Sequence, residues 1–270
     1  MPIARGLGII KVLPLAVAAS IFVLPGCSGI LQKPLSEIFD RGPDSGTMAA
    51  NAFSVGDFST ASALWTSLAN RGDSIAQFSL GFMLEEGNGT PVDNQGAARW
   101  YRLSADQGYS SAQYNLGRLY QEGLGLPRDT LLAAQWYVLA ARQGDALAQF
   151  SLGFLYVNDP TVTCASVIPR DCGAMFGEDP DPALGAIWYR LAAEQGVSEA
   201  QNNLGTLYGA GVGLPQDDAE SYAWFSVAAG QGNDAAIANR DLAASRMTPE
   251  ALGAAQQLAQ SYRILYATQN

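Results

Sequence analysis

Side chains that could perform catalysis are scarce in this chain. It has no histidine, so neither a Ser-His-Asp triad nor a His-Glu-x-x-His zinc site can be built. The G-x-S-x-G nucleophile motif is absent. The only lysines, Lys11 and Lys33, lack the serine three residues earlier that an S-x-x-K nucleophile requires. We therefore expect a protein that binds rather than catalyses, with no catalytic residues, no metal ligands and no cofactor.

Two further motifs suggest chemistry at first but have simpler interpretations. The glycine-rich segments 123–125 and 209–213 look like phosphate loops, yet a dinucleotide loop joins a strand to a helix, and these segments join predicted helices. We interpret them as helix ends. Glu85 and Glu86 could form an acid–base pair, but adjacent residues on a helix do not face each other. We interpret these two glutamates as the solvated end of a helix.

Cys27 follows a segment typical of a signal peptide. Arg5 and Lys11 precede the apolar run 12–26, which is shorter than the ~20 apolar residues that a membrane-spanning helix needs. The sequence Leu-Pro-Gly-Cys at 24–27 resembles the bacterial lipobox, whose cysteine is acylated and becomes the mature N-terminus. This resemblance predicts lipidation of Cys27, and several acyl chains would give stable anchoring. The alternative is an uncleaved anchor with an unmodified cysteine.

The predicted location follows from the residue after Cys27. In lipoprotein sorting an aspartate at that position retains a protein in the inner membrane, whereas this chain has Ser28. We therefore expect a cell-envelope protein that is lipid-anchored to the outer membrane, on its periplasmic face.

The remaining cysteines, Cys164 and Cys172, belong to a chain predicted to be exported. An oxidising compartment favours a disulfide between them, which would contribute about 2–3 kcal/mol by restricting the unfolded chain. A metal site is the weaker interpretation, because two cysteines at this separation without histidine are a poor zinc site.

The charge of the chain argues against nucleic acid as a partner. The formal net charge of the 270 residues is −10, and removal of residues 1–26 takes away two basic residues and no acid, which leaves about −12. Phosphate binding needs a basic face.

The five tryptophans reveal an internal repeat. They are spaced 35, 36, 52 and 36 residues apart, and a period near 36 is typical of a solenoid of helix pairs. The long interval corresponds to one period plus a 16-residue insertion. The tryptophans are Trp65, Trp100, Trp136, Trp188 and Trp224.

Other positions recur in the same register. Aspartate stands seven residues before four of the tryptophans, where it can cap the first helix of a repeat. A glycine follows each first helix, where a left-handed residue is needed. Glycine also recurs inside four second helices, at a cost of about 1 kcal/mol each, which predicts close approach of a neighbouring helix. These three sets are Asp93, Asp129, Asp181 and Asp217; Gly72, Gly108, Gly144, Gly196 and Gly232; and Gly81, Gly117, Gly153 and Gly205.

The repeated segments AARWYRLSADQG (97–108), AAQWYVLAARQG (133–144) and GAIWYRLAAEQG (185–196) resemble the Sel-one-like repeat family, which is related to tetratricopeptide repeats. The similarity covers about residues 58–246. It implies an all-α, right-handed α-α solenoid of five helix-pair repeats, in which the first helices line the concave face. Cysteine-rich members of the family have been linked to penicillin binding and β-lactamase activity, but they carry a cysteine pair in every repeat.

This register gives a domain organisation. We predict a signal peptide at 1–26, a tether at 27–46, the solenoid with a leading helix at 47–246, and a C-terminal capping helix at 247–270. The insertion lies at about 158–179. It carries apolar residues that could bind a partner or could cover the core of the third repeat, and the sequence leaves both possibilities open.

One face of the first helices is a candidate binding surface. The positions one before, two after and six after each tryptophan vary among repeats, and their spacing places them on one stripe, which we call the first-helix face. Guanidinium groups bind carboxylates through paired hydrogen bonds, so we hypothesise a groove for an acidic or carboxylate-bearing protein partner. The alternative is an ordinary solvated helix face. The arginines of this face are Arg71, Arg99, Arg102, Arg142 and Arg190.

Three functions are compatible with these features. The leading one is a lipid-anchored envelope adaptor or scaffold that mediates protein–protein interactions through its groove. The alternatives are an enzyme that acts on the cell wall or binds penicillin, and a surface-exposed binder of host or foreign protein. The fold alone does not decide among them.

Overall fold

A computed structural model describes residues 44–167 and 181–266, which all belong to one compact unit, Pro43–Asn270. The regular elements of these residues are thirteen α-helices. They are α1 Ser45–Ser54, α2 Phe58–Ala69, α3 Ser74–Glu86, α4 Asn94–Asp106, α5 Ser110–Glu122, α6 Thr130–Ala141, α7 Ala146–Asn158, α8 Cys164–Val167, α9 Asp181–Glu194, α10 Ser198–Ala210, α11 Asp218–Gly230, α12 Asp234–Ala244 and α13 Pro249–Tyr266.

The helices pair in the register that the tryptophans predict. The five repeats are α2–α3, α4–α5, α6–α7, α9–α10 and α11–α12, and each helix packs against the next one in this order. Helix α1 packs on α2, α8 lies in the insertion beside α6, and α13 packs on α11. The prediction of an all-α solenoid of five helix pairs with a final capping helix is confirmed.

Side-chain caps and glycines set the helix ends. Asp93 and Asp129 each accept a hydrogen bond from the backbone amide three residues later, at 2.8 and 2.9 Å, as the sequence predicts. The glycine after each first helix has a positive φ, between 86° and 92°, a conformation that glycine adopts without strain. These local signals therefore mark the starts of α4 and α6 and the ends of the five first helices.

The mid-helix glycines bring second helices against the first helix of the following repeat. A Cβ atom on Gly117 would lie 2.8 Å from Cδ1 and Cε1 of the Tyr137 ring and 3.1 Å from the carbonyl oxygen of Ala133. The same arrangement pairs Gly81 with Tyr101, Gly153 with Tyr189 and Gly205 with Phe225. The prediction that these glycines permit close approach is confirmed.

A ladder of buried glutamines joins successive repeats. Gln113 donates a 3.1 Å hydrogen bond to the carbonyl of Ala105 within its own repeat, and its Oε1 accepts one of 2.8 Å from Gln143 of the next repeat. Gln77, Gln149 and Gln201 make the same pair of bonds. Because buried polar groups need partners, this ladder ties the repeats together in one register. The spacing of these glutamines in the sequence did not indicate this role.

Helix α11 is covered on all sides by other helices. It packs against α10, α12 and α13, and seven of its thirteen residues are buried. The packing of α13 on α11 therefore completes the core of the fifth repeat.

Within residues 44–167 and 181–266, none of the helices combines the length and hydropathy that crossing a bilayer requires.

Candidate functional site

The candidate site is built around three side chains from three successive helices, which we call the first platform. Arg102 of α4 lies between Tyr120 of α5 and Trp136 of α6, and its Nη2 donates a hydrogen bond to the Tyr120 hydroxyl. Its Cζ is 5.7 Å from the centroid of the Tyr120 ring and 5.0 Å from that of Trp136. Both distances are within the range of cation–π attraction. The guanidinium group is therefore held in place by two aromatic rings.

A cavity of about 480 Å³ opens beside the first platform. Its walls are mainly apolar, with two arginines among them, and a cavity of this size and character is typical of a binding site. Leu103, on the wall, is 48% exposed. The residues that line the cavity are Gln95, Ala98, Arg99, Arg102, Leu103, Leu116, Tyr120 and Leu126.

A second platform repeats the first one 88 residues later in the sequence, with Arg190, Tyr208 and Trp224 in the equivalent positions. Arg190 donates a hydrogen bond to the Tyr208 hydroxyl, and its Cζ is 5.6 Å from the ring centroid. Both tryptophans are buried, Trp224 completely and Trp136 with 9% of its surface exposed, and the guanidinium group of Arg102 lies over the Trp136 ring. The two platforms thus share their residues but differ in what covers them.

The C-terminal helix α13 covers the second platform with two tyrosines one turn apart. The ring of Tyr262 lies 4.7 Å from that of Trp224, and the ring of Tyr266 stacks on Trp224 at 5.5 Å with an interplanar angle of 22°. Both tyrosines also pack against the apolar cluster that contains Tyr208. The chain therefore places an aromatic pair of its own on the second platform.

Polar contacts hold α13 in this position. The hydroxyl of Tyr262 donates to the Glu220 carboxylate at 3.0 Å, and Nη2 of Arg263 donates to the backbone oxygen of Ser226 at 3.0 Å. Burial raises the pKa of Tyr262 above its ordinary value, and the negative charge of Glu220 raises this pKa further. The neutral form of Tyr262 is therefore the form that favours docking of α13.

A row of apolar side chains beside the first-helix face is exposed in the middle repeats and covered in the last. The residues three positions after the tryptophan, Leu103, Leu139 and Leu191, are 48%, 43% and 38% exposed. Their counterpart Val227 is 5% exposed, because α13 packs on α11. Their exposure could not be predicted from the sequence, because leucine recurs at this position in every middle repeat, as core residues do.

The arginines predicted to bind a partner lie in different surroundings. Arg99 and Arg102 come together in the 480 Å³ cavity, with Arg99 exposed and Arg102 half-buried. Arg71 lines a separate cavity of about 660 Å³ between α1 and the first repeat, and Arg142 is exposed at the end of α6. Arg190 belongs to the second platform. The structure therefore brings together one pair of the five, and partner binding by these residues stays a prediction.

The surroundings of Glu85 differ from the solvated helix end that the sequence suggests. Its side chain is 9% exposed, accepts a 2.8 Å hydrogen bond from the Tyr101 hydroxyl and forms an ion pair with Arg118. The interpretation of Glu85 as the solvated end of a helix was wrong, because two residues of the following repeat supply its partners. Burial is also the main reason why the pKa of Tyr101 lies above its ordinary value.

Of the three cysteines with predicted roles, the structure describes one. Cys164 is buried in the apolar cluster of the third repeat. Cys172 and Cys27 lie outside the described residues, so the disulfide and the lipidation stay predictions.

The geometry of the site suits binding. Among the described residues, no group of three or more Cys, Asp or Glu side chains is arranged to hold a metal ion. The features of the site are instead a fixed guanidinium group, exposed leucines and a shallow apolar cavity, which are typical of surfaces that bind another protein.

Comparison with known proteins identifies the repeat. The family model described as "Sel1 repeat" matches residues 74–109, 110–145, 172–197 and 198–233. No curated protein sequence matches the chain.

Two solved structures show the likeness of fold. A protective antigen present in uropathogenic Escherichia coli strains, which displays the same repeat fold, is 31% identical with a TM-score of 0.51; the match covers 83% of this chain and 54% of that one. The chain thus spans about half the length of the antigen. A Sel1 repeat protein from Oxalobacter formigenes is 21% identical with a TM-score of 0.63, and the match covers 83% of this chain and 85% of that one.

Proposed function

Since the chain is a Sel1 repeat protein, we propose that it acts as a lipid-anchored adaptor of the cell envelope, which binds protein partners through its first-helix face. Sel1 repeat proteins generally mediate protein–protein interactions, and their scaffolds are typically non-enzymatic. The observation that supports this face in particular is the first platform with its open cavity, where Arg99 and Arg102 lie beside the exposed side chain of Leu103.

Charge favours an acidic partner at this face. The chain as a whole carries a net charge of −10, so most of its surface repels an acidic protein. The first-helix face differs from the rest of the surface because it carries several arginines. Complementary charge determines which partner binds and in which orientation more than it increases affinity. A carboxylate-bearing surface would therefore approach the solenoid from this side.

Capture of the partner in cells tests the role of the face. We expect the variant Arg99→Gln/Arg102→Gln/Arg142→Gln/Arg190→Gln to lose the discrete set of proteins that crosslinks to the tagged wild-type chain. The variant should remain helical by circular dichroism, because each lost cation–π contact is worth only about 0.5–1 kcal/mol.

A control variant replaces arginines away from this face. Arg128→Gln/Arg240→Gln/Arg246→Gln removes a similar amount of charge from the loop before α6 and from the end of the fifth repeat. We expect it to keep the captured set. Unchanged capture in the four-arginine variant would refute the proposed role of the face.

The proposed tether has a separate test. Lipid chains of a modified Cys27 would hold the protein in the membrane fraction, and stable anchoring needs more than one chain. We expect Cys27→Ser to move the protein into the soluble envelope fraction and to abolish incorporation of labelled fatty acid. The variant Cys164→Ser should still incorporate the label. Fatty-acid labelling of Cys27→Ser at the wild-type level would contradict the tether.

Display at the cell surface is a second candidate function. It is favoured by the 31% identity to a protein described as a protective antigen of uropathogenic Escherichia coli. Digestion of the chain by protease added to intact cells would support this candidate, whereas protection until the outer membrane is opened would support an adaptor on the periplasmic face.

A further inference from the structure

The C-terminal helix α13 occupies the second platform in the way a ligand helix would. It contributes Tyr262 and Tyr266, which are four residues apart and so share one side of the helix. Both rings lie against Trp224, and both pack on the cluster that contains Tyr208. An amphipathic helix that places aromatic anchors at this spacing into a groove is a recurring mode of peptide recognition.

The first platform offers the same three side chains, and within residues 44–167 and 181–266 no helix lies on it as α13 lies on the second platform. Arg102, Tyr120 and Trp136 correspond one by one to Arg190, Tyr208 and Trp224. The 480 Å³ cavity lies beside Arg102, and Leu103 remains half exposed there. We propose that the first platform binds an amphipathic helix of the partner protein that presents two aromatic side chains one turn apart. This inference rests on the proposed function and specifies the chemistry of the partner.

Differences between the two platforms define the rest of the ligand. Leu132 stands where the second platform has Glu220, the acceptor for the Tyr262 hydroxyl, so the corresponding aromatic residue of the partner needs no hydroxyl. Arg99 stands where the second platform has Ile187. An exposed guanidinium group at the rim of the cavity favours a carboxylate on the incoming helix. The expected ligand is therefore an acidic helix with two apolar aromatic anchors.

The chain's own α13 does not fit as the ligand of the first platform. Helix α12 ends at Ala244 and α13 begins at Pro249, so a short connection keeps α13 beside the fifth repeat. The first platform lies two repeats earlier in the solenoid. A second copy of the chain would have to withdraw its α13 from a fully buried Trp224 before it could bind there. These facts favour a helix from another protein.

A helix-locked peptide tests the proposal on the full-length chain. The probe is a stapled peptide with the sequence of residues 249–266 that carries Tyr262→Phe, Tyr266→Phe and Arg263→Glu, with a fluorescent label for anisotropy. We expect it to bind, and Arg102→Gln to weaken binding about tenfold or more, as loss of a central contact does. The exposed Arg246→Gln serves as the control and should leave the affinity unchanged. A peptide with alanine in place of both aromatic residues should not bind.

Three results would overturn the proposal. They are absence of binding by the stapled peptide, equal binding of the alanine peptide, and loss of binding on Arg190→Gln rather than Arg102→Gln, which would mean that the probe displaces α13. The capture experiment with the four-arginine variant separates this proposal from the proposed function. If that variant loses its partners while the stapled peptide fails to bind wild type, the face is correct and the helical aromatic ligand is wrong.

Discussion

Single residues decide how closely the repeats approach each other. Each of the first four second helices has a glycine in contact with an aromatic ring of the next repeat, at a distance that leaves no room for a methyl group. In an exposed helix, replacing glycine by alanine gains up to about 1 kcal/mol from helix propensity. In this solenoid the steric cost opposes that gain, because ring and backbone atoms meet the added carbon directly.

Gly117→Ala tests whether the steric cost of the added methyl group exceeds the gain in helix propensity. We expect a net loss of about 1–2 kcal/mol in the free energy of unfolding, since overpacking of this kind costs about 1–3 kcal/mol. Urea denaturation would measure it. Gly253→Ala is the matched control, because no atom lies within 4 Å of its added carbon, and we expect no loss there. Equal effects of the two substitutions would contradict the packing role of Gly117.

The sequence was informative about residues whose role depends on their own helix. Asp93 and Asp129 cap helices, as their positions in the repeat predict. The roles of Glu85 and Gln113 could not be predicted in this way. Their hydrogen-bond partners come from the following repeat, so the outcome depends on how the repeats are stacked and not on local spacing.

At the scale of elements, α13 completes the core of the fifth repeat. It also lies on the second platform in the way that a bound helix of another protein would. The sequence predicts its start from Thr248, Pro249 and Glu250, since these residues form a helix-opening signal. It does not predict that the helix lies across the second platform. That position depends on contacts of Tyr262 and Tyr266 with Trp224, which is 38 residues or more away in the sequence.

The docking of α13 should weaken at alkaline pH. The pKa of Tyr262 is raised above its unfolded value of about 10, mainly by burial and then by Glu220. The folded state therefore favours the protonated form, and its contribution to stability is complete below the unfolded pKa and is lost as the pH rises through the folded pKa. We expect the difference in unfolding free energy between pH ~8 and pH ~11 to be smaller in Tyr262→Phe than in wild type.

Urea denaturation at both pH values measures this difference. Every other residue is the same in both proteins, so the comparison reports on the Tyr262 hydroxyl. Tyr120→Phe is a suitable control, because the Tyr120 side chain belongs to the first platform, two repeats away from the site where α13 docks. Identical pH dependence in wild type and Tyr262→Phe would show that ionisation of Tyr262 does not oppose docking.

At the scale of the whole molecule, the fold follows from periodicity and the binding surface does not. A repeat of about 36 residues with constant small and aromatic positions has one way to bury its apolar side chains, which is to stack helix pairs. The variable positions include Arg102 and Arg190, which the structure places in the two platforms. They could not indicate which copy is open, since that depends on α13 folding back over the last repeat.

The claim that the first-helix face binds the partner is tested most directly by site-specific photo-crosslinking in cells that produce the full chain. A photoreactive amino acid would replace Leu103, which is 48% exposed beside the first platform, or Leu242, which is 54% exposed on α12. We predict a discrete adduct of higher mass from position 103 and none from position 242. Adducts from position 242 alone, or equal adducts from both positions, would contradict the claim.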